Sequence, residues 1–103
     1  MSFDEFQQSI ERDTAPAAEW SGALRGLWHD ARGDWAGAHF AVQQNAQEDH
    51  SREGSWVHAY LHRKEGDLGN ASYWYARAGR PLPAAGVTFA AEWEHLARAL
   101  LEE

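Results

Sequence analysis

An internal repeat restricts this chain more than any other feature. The segment Arg32-Gly33-Asp34-Trp35-Ala36-Gly37-Ala38 returns as Glu65-Gly66-Asp67-Leu68-Gly69-Asn70-Ala71, 33 residues further on. The register holds on both sides: Leu24 pairs with Val57, Gly26 with Ala59, Leu27 with Tyr60, Trp28 with Leu61, Phe40 with Tyr73 and Val42 with Tyr75. Apolar and small residues therefore recur at matching places, at the three- and four-residue intervals of a helix face. A period near 34 with two helices per unit marks a chain whose units bury their apolar faces by stacking on one another. In both copies a Gly closes the leading helix and an Asp follows that can cap the next.

The remaining punctuation sets the other elements. Ser2 with Glu5 three places on is a capping-box pattern, and Phe3, Phe6 and Ile10 share a face, so a short helix is expected over 3–12. Asp13-Thr14-Ala15-Pro16 breaks it and opens a second helix over 16–31, since Thr14 or Asp13 can cap and Pro16 is tolerated in a first turn. A third helix is expected over 35–46, followed by Gln47-Glu48-Asp49-His50 as the most loop-like stretch. Helices over 53–65 and 68–78 follow, then an irregular passage holding Gly79, Pro81, Pro83 and Gly86, and a last helix over 88–101 capped by Thr88. At 103 residues one core suffices. The expected organisation is a single helical-repeat domain over 1–103: an N-terminal helix (3–12), hairpin 1 (16–46), hairpin 2 (53–79) and a C-terminal helix (88–101).

The repeat resembles that of the tetratricopeptide family. That pattern places small residues seven before and five after the inter-helix Gly, an aromatic nine after, another small residue twelve after and a Pro seventeen after. The second copy supplies Ala59, Gly66, Ala71, Tyr75, Ala78 and Pro83 at those places. The first supplies Gly26, Gly33 and Ala38 but has Val42, Asn45 and His50 where an aromatic, a small residue and Pro are expected, which makes it a degenerate unit. The stretch from Trp56 to Pro81 is also similar to the characteristic segment of a group of small helical-repeat proteins, a likeness that brings no activity with it. The resemblance implies an all-α fold of two tandem tetratricopeptide-like hairpins flanked by capping helices. It further implies a concave groove for a peptide or protein partner, lined by Trp56, Tyr60 and Arg63, with Trp20 and Leu27 near the equivalent face of the first unit. The alternative is that a terminal helix fills the groove and the rings serve the core. Tyr73-Trp74-Tyr75 point in three directions about 100° apart on a helix, so Trp74 and Arg77 join the candidates for partner contact.

A second constellation concerns metal. His58 and His62 stand four apart on one helix, which puts both imidazoles on one face within reach of a single ion. A third donor is required, and His39, Glu65 or Asp67 can supply it only if the fold brings it near. The alternative is that the imidazoles lie between packed helices, each satisfied by a carboxylate or carbonyl, and the alignment of His29 with His62 favours it. Ala59 stands directly after His58, where a metalloprotease helix carries Glu.

Composition prunes the remaining classes. A formal charge of -7 disfavours nucleic acid. The absence of Cys excludes disulfides, thiolate metal sites and thiol nucleophiles. No apolar run approaches the length of a membrane span, and an acidic start reads as no signal peptide, so the expected compartment is the cytoplasm. No nucleophile elbow, phosphate-binding Gly loop or dinucleotide fingerprint is present, which leans away from an enzyme. The functions expected are a non-enzymatic interaction module on the aromatic and Arg face of hairpin 2, a metal or small-ligand site around His58 and His62, or a homodimer joined through exposed rings. Apart from a divalent metal, no cofactor is expected.

Overall fold

The structure, a computed structural model, describes residues 1–49 and 51–102, the side chains of 44–49 excepted. These residues form six helices and no strand: α1 (Phe3–Arg12), α2 (Gly22–Ala31), α3 (Trp35–Asp49), α4 (Arg52–Lys64), α5 (Leu68–Ala78) and α6 (Phe89–Leu101). Side-chain caps set most starts. The Ser2 hydroxyl accepts from the Glu5 amide at 3.1 Å while the Glu5 carboxylate accepts from the Ser2 amide at 2.9 Å, a reciprocal box that satisfies two free donors. Asp67 and Thr88 cap α5 and α6 in the same one-sided manner as Ser51 caps α4.

Two expected boundaries are corrected. The second helix starts at Gly22, not at 16: the Ser21 hydroxyl accepts from the Leu24 amide at 3.1 Å, and residues 13–20 are irregular. Ala15 is biased away from the helical region by the Pro after it, and the Trp20 ring is held against Phe6 at 5.6 Å, which turns the chain back along α1 before a helix forms. The third helix does not stop at 46 but runs through Asp49, so Gln47, Glu48 and Asp49 are helical. Polarity alone does not end a helix, and no Gly or Pro follows Gly37 in that stretch. His50, also assigned to the loop, lies outside the described residues.

The turns inside the two helix pairs are chemically alike. Gly33 (φ 77°) and Gly66 (φ 88°) are left-handed, a conformation in which a side chain would be strained. The Asp34 amide then donates to the His29 carbonyl at 2.8 Å, and the Asp67 amide to the His62 carbonyl at 2.9 Å. Each closure satisfies a helix-end carbonyl and starts the next helix.

α2 packs on α3 and α4 on α5; α3 and α2 both touch α4, while α6 lies across α2 and α4 and reaches α1. The tightest approach is at Gly26, where an added Cβ would meet Val42 Cγ1 at 2.7 Å and the Ala38 carbonyl at 3.3 Å. Leu27, Val42, Val57, Tyr60, Leu61, Tyr75 and Leu96 fill the centre. Among the described residues no helix is long and apolar enough to cross a membrane.

Candidate metal centre

The packing of α3 on α4 brings His39 beside the His58 and His62 pair. One turn of helix separates His58 from His62, and their rings stack at 4.7 Å with the two Nε2 atoms 3.1 Å apart. The His39 ring stands edge-on to both, at 4.8 Å from His58 and 5.1 Å from His62. One ligand nitrogen from each residue can be chosen so that all three lie within 4.8 Å of one another. Of the three donors that sequence left open, His39 is the one that completes an all-imidazole set.

An aromatic shell surrounds the cluster. Trp74 of α5 lies on His58 at 4.2 Å, and Trp35, one turn before His39, lies on that ring at 4.2 Å. His39 and His58 are therefore only 9% and 5% exposed. The Nδ1 atom of each is buried without a hydrogen-bond partner among the described residues. Burial, followed by the neighbouring His39 and His62, pushes the His58 imidazole down to about 3. Burial and then His62 lower His39 as well, against a smaller opposing effect of Glu65. Both rings are thus neutral at pH 7, the state in which an imidazole ligates.

His62 is placed differently. Its Nδ1 is 2.6 Å from Glu65 Oε1, three residues along at the end of α4. With Nδ1 turned to that carboxylate, Nε2 is the ring nitrogen directed at His58. A carboxylate behind a ligating imidazole fixes its tautomer and raises its basicity, the usual outer-shell arrangement of a metal site. Glu65 thereby backs a ligand. Asp67 also lies within reach of His62 and Glu65, but its oxygens accept from the Asn70 amide at 3.3 Å and the Asn70 side-chain amide at 2.6 Å. Those bonds hold its carboxyl below the usual range and commit it to capping α5. His29, the counterpart of His62, pairs with Asp34 at 3.2 Å.

The groove residues are engaged within the chain. Trp56 and Tyr60 are 5% and 1% exposed. The Tyr60 hydroxyl donates to Asp30 Oδ2 at 2.7 Å, and Arg63 donates to Glu92 Oε1 at 2.8 Å and to the Val87 carbonyl. Since Glu92 belongs to α6 and Val87 to the segment before it, the chain's own C-terminal part covers the face that Trp56, Tyr60 and Arg63 were expected to open to a partner. Trp74 is half-buried over His58. Arg77 is exposed, stacks on Trp74 at 5.2 Å and donates to the Tyr73 hydroxyl at 3.2 Å. Sequence reasoning missed two buried carboxylates, Asp30 and Glu92, although Asp30 follows Leu27 at the three-residue spacing of the buried stripe. It also missed the arginines beside Trp56, Arg52 and Arg80. Comparison of the chain with protein-family models, curated proteins and solved structures finds no match.

Proposed function

We propose that this protein is a metal-binding helical module that holds one divalent first-row transition ion on His39, His58 and His62. One observation carries the reading: two imidazoles more than nine-tenths buried converge with a third, so that one ligand nitrogen from each lies within 4.8 Å of the others. Zinc–imidazole bonds of about 2.0–2.1 Å require ligand nitrogens roughly 3.3 Å apart in a tetrahedron. The Nε2 atoms of His58 and His62, 3.1 Å apart, are already close to that separation, and a ligand nitrogen of His39 lies within 4.8 Å of one on each. An all-imidazole set without thiolate favours zinc, nickel, cobalt or copper over manganese, magnesium or calcium.

Two further features support a tetratricopeptide-like arrangement around this site: the Gly-Asp turns repeat 33 residues apart, and small residues stand where the helices approach. In that arrangement the ion joins the second helix of unit one to the first helix of unit two. The test is equilibrium dialysis against zinc, nickel and manganese, followed by elemental analysis. One equivalent of zinc or nickel and no retained manganese is expected for the wild type, with both His39→Ala and His58→Ala losing the bound ion while keeping the helical circular-dichroism spectrum. A wild-type protein that retains no stoichiometric zinc or nickel ends the proposal.

A further inference from the structure

We propose that a second site, the cleft beside Trp56, binds a small organic monoanion: one carboxylate on a flat apolar body. The starting point is a charge anomaly. The chain carries 16 acidic residues against 9 basic ones, so a basic side chain without an acidic or carbonyl partner is the exception. Arg63, Lys64 and Arg98 are paired with Glu92, Asp30 and Glu94. Arg25 and Arg32 donate to backbone carbonyls, and Arg77 to the Tyr73 hydroxyl. The side chains of Arg52 and Arg80 make no hydrogen bond or ion pair among the described residues, a state shared only with that of Arg12 on α1, and both border Trp56.

Local structure puts them there. Gly79 ends α5 in a left-handed conformation (φ 70°), and the Arg80 amide turns back to the Tyr75 carbonyl at 3.0 Å. That turn lays the Arg80 guanidinium over the Trp56 ring at 4.0 Å. Arg52 reaches the same turn, its Nη1 standing 3.8 Å from where a Cβ at Gly79 would be. Pro81 and Pro83 form a wall with little backbone freedom to lose on binding, and His95 closes the far side edge-on to Trp56 at 5.7 Å. The cleft they enclose measures about 440 Å³ and shares Trp56 and Arg80 with a smaller one of about 280 Å³ that Arg52 lines. The larger volume falls in the range of small-ligand sites.

The charges select the ligand. Glu92 lies in the wall, but Arg63 neutralises it, and Glu53 offsets one of the two free guanidiniums. One positive charge is left, which suits a carboxylate better than a phosphate dianion. A guanidinium holds a carboxylate through two parallel N–H···O bonds, and the low polarity of the Trp and Pro walls strengthens them.

The test uses 2-naphthoate and its neutral analogue 2-naphthamide as calorimetric probes, with EDTA present so that no metal takes part. Saturable one-to-one binding of 2-naphthoate is expected, about tenfold or more tighter than that of the amide, as the loss of one charge-assisted bond implies. Arg80→Gln is expected to remove that preference, while Arg80→Lys retains part of it. Amide binding should be the same in both variants. The Trp56 indole resonance should shift on titration. The proposal is overturned by an absence of saturable 2-naphthoate binding, by equal affinity for acid and amide, or by an Arg80→Gln protein that binds 2-naphthoate as the wild type does.

Discussion

The Tyr60 phenol sits wholly inside the protein, donating to Asp30 Oδ2 while Lys64 Nζ holds the other carboxylate oxygen at 3.0 Å. Burial first, then the hydrogen bond and charge of Asp30, push the phenol above its ordinary range against a smaller opposing effect of Arg63. Tyr75 is raised in the same way by burial and by Glu92. A group whose folded pKa is raised contributes stability that is intact below the unfolded value and lost as pH rises above it. Unfolded tyrosines ionise near pH 10, so alkaline pH favours the unfolded state by about 1.4 kcal/mol per pH unit for each buried phenol. The wild type should therefore lose stability steeply between pH 10 and 11. Tyr60→Phe should be about 1–3 kcal/mol less stable at pH 8, where Asp30 Oδ2 loses its donor, and show roughly half the alkaline slope. Urea midpoints at pH 8, 10 and 11 measure both, and an unchanged alkaline slope in the variant would refute the assignment. What the sequence shows at this scale is residue type and helix face. It places Tyr60 on the Trp56 and Arg63 face, but the partners that decide its duty are Asp30, 30 residues back, and the helix that covers it. The histidines were more legible, since the four-residue spacing of His58 and His62 already implies a shared face. The choice of His39 over Asp67 waited on packing, because Asp67 is nearer in sequence but spent on a cap.

Helix boundaries were readable where a side chain caps and a Gly closes. α5 runs over Leu68–Ala78 as its Asp67 and Gly79 predict, and α6 follows Thr88. The start of α2 was not, because Ser21 competes with Thr14 and Asp13 as a cap and the winner is decided by Trp20 docking on α1, a contact no local pattern contains. The alignment of Gly26 with Ala59 marks a small-residue position, and the structure adds how small it must be. A methyl group at Gly26 would sit 2.7 Å from Val42 Cγ1, a β-branched side chain with little freedom to move, and 3.3 Å from the Ala38 carbonyl. Gly26→Ala gains about 1 kcal/mol of helix propensity but costs about 1–3 kcal/mol in overpacking where α2, α3 and α4 meet. The expected result is a net loss of roughly 1 kcal/mol, read as a lower thermal midpoint. Because α3 carries His39, the same shift should weaken zinc retention. A variant more stable than the wild type would show that α2 and α3 are not in such close contact.

At the scale of the molecule the decisive element is α6, which lies over α2 and α4 and supplies Trp93, Leu96 and Ala97 to the shared core. Flanking helices are expected to cap the ends of a short repeat, but sequence could not say which face α6 covers. From Gly54 through Leu61 every residue of α4 is buried, so the helix shows no single apolar stripe from which to read its partner. The placement rests on a buried charge cluster: Glu92 accepts from Arg63 and from the Tyr75 hydroxyl, with the Arg63 side chain 16% exposed and that of Glu92 5%. Removing one member of such a cluster leaves a desolvated charge without its counter-ion, at a cost of about 3–5 kcal/mol, whereas replacing both ions with apolar groups of similar volume is often neutral. Glu92→Ala should accordingly be strongly destabilised in urea, and the double variant Glu92→Leu with Arg63→Met should recover most of the loss. Recovery would show that the pair orients α6 and that apolar contact holds it there. If the double variant is no more stable than the single one, the charges themselves fasten the helix. The same comparison bears on the face of α4 that carries Trp56 and Arg63: α6 lies against it, so a peptide could reach that face only by displacing α6. Glu92→Ala is the variant in which that displacement costs least.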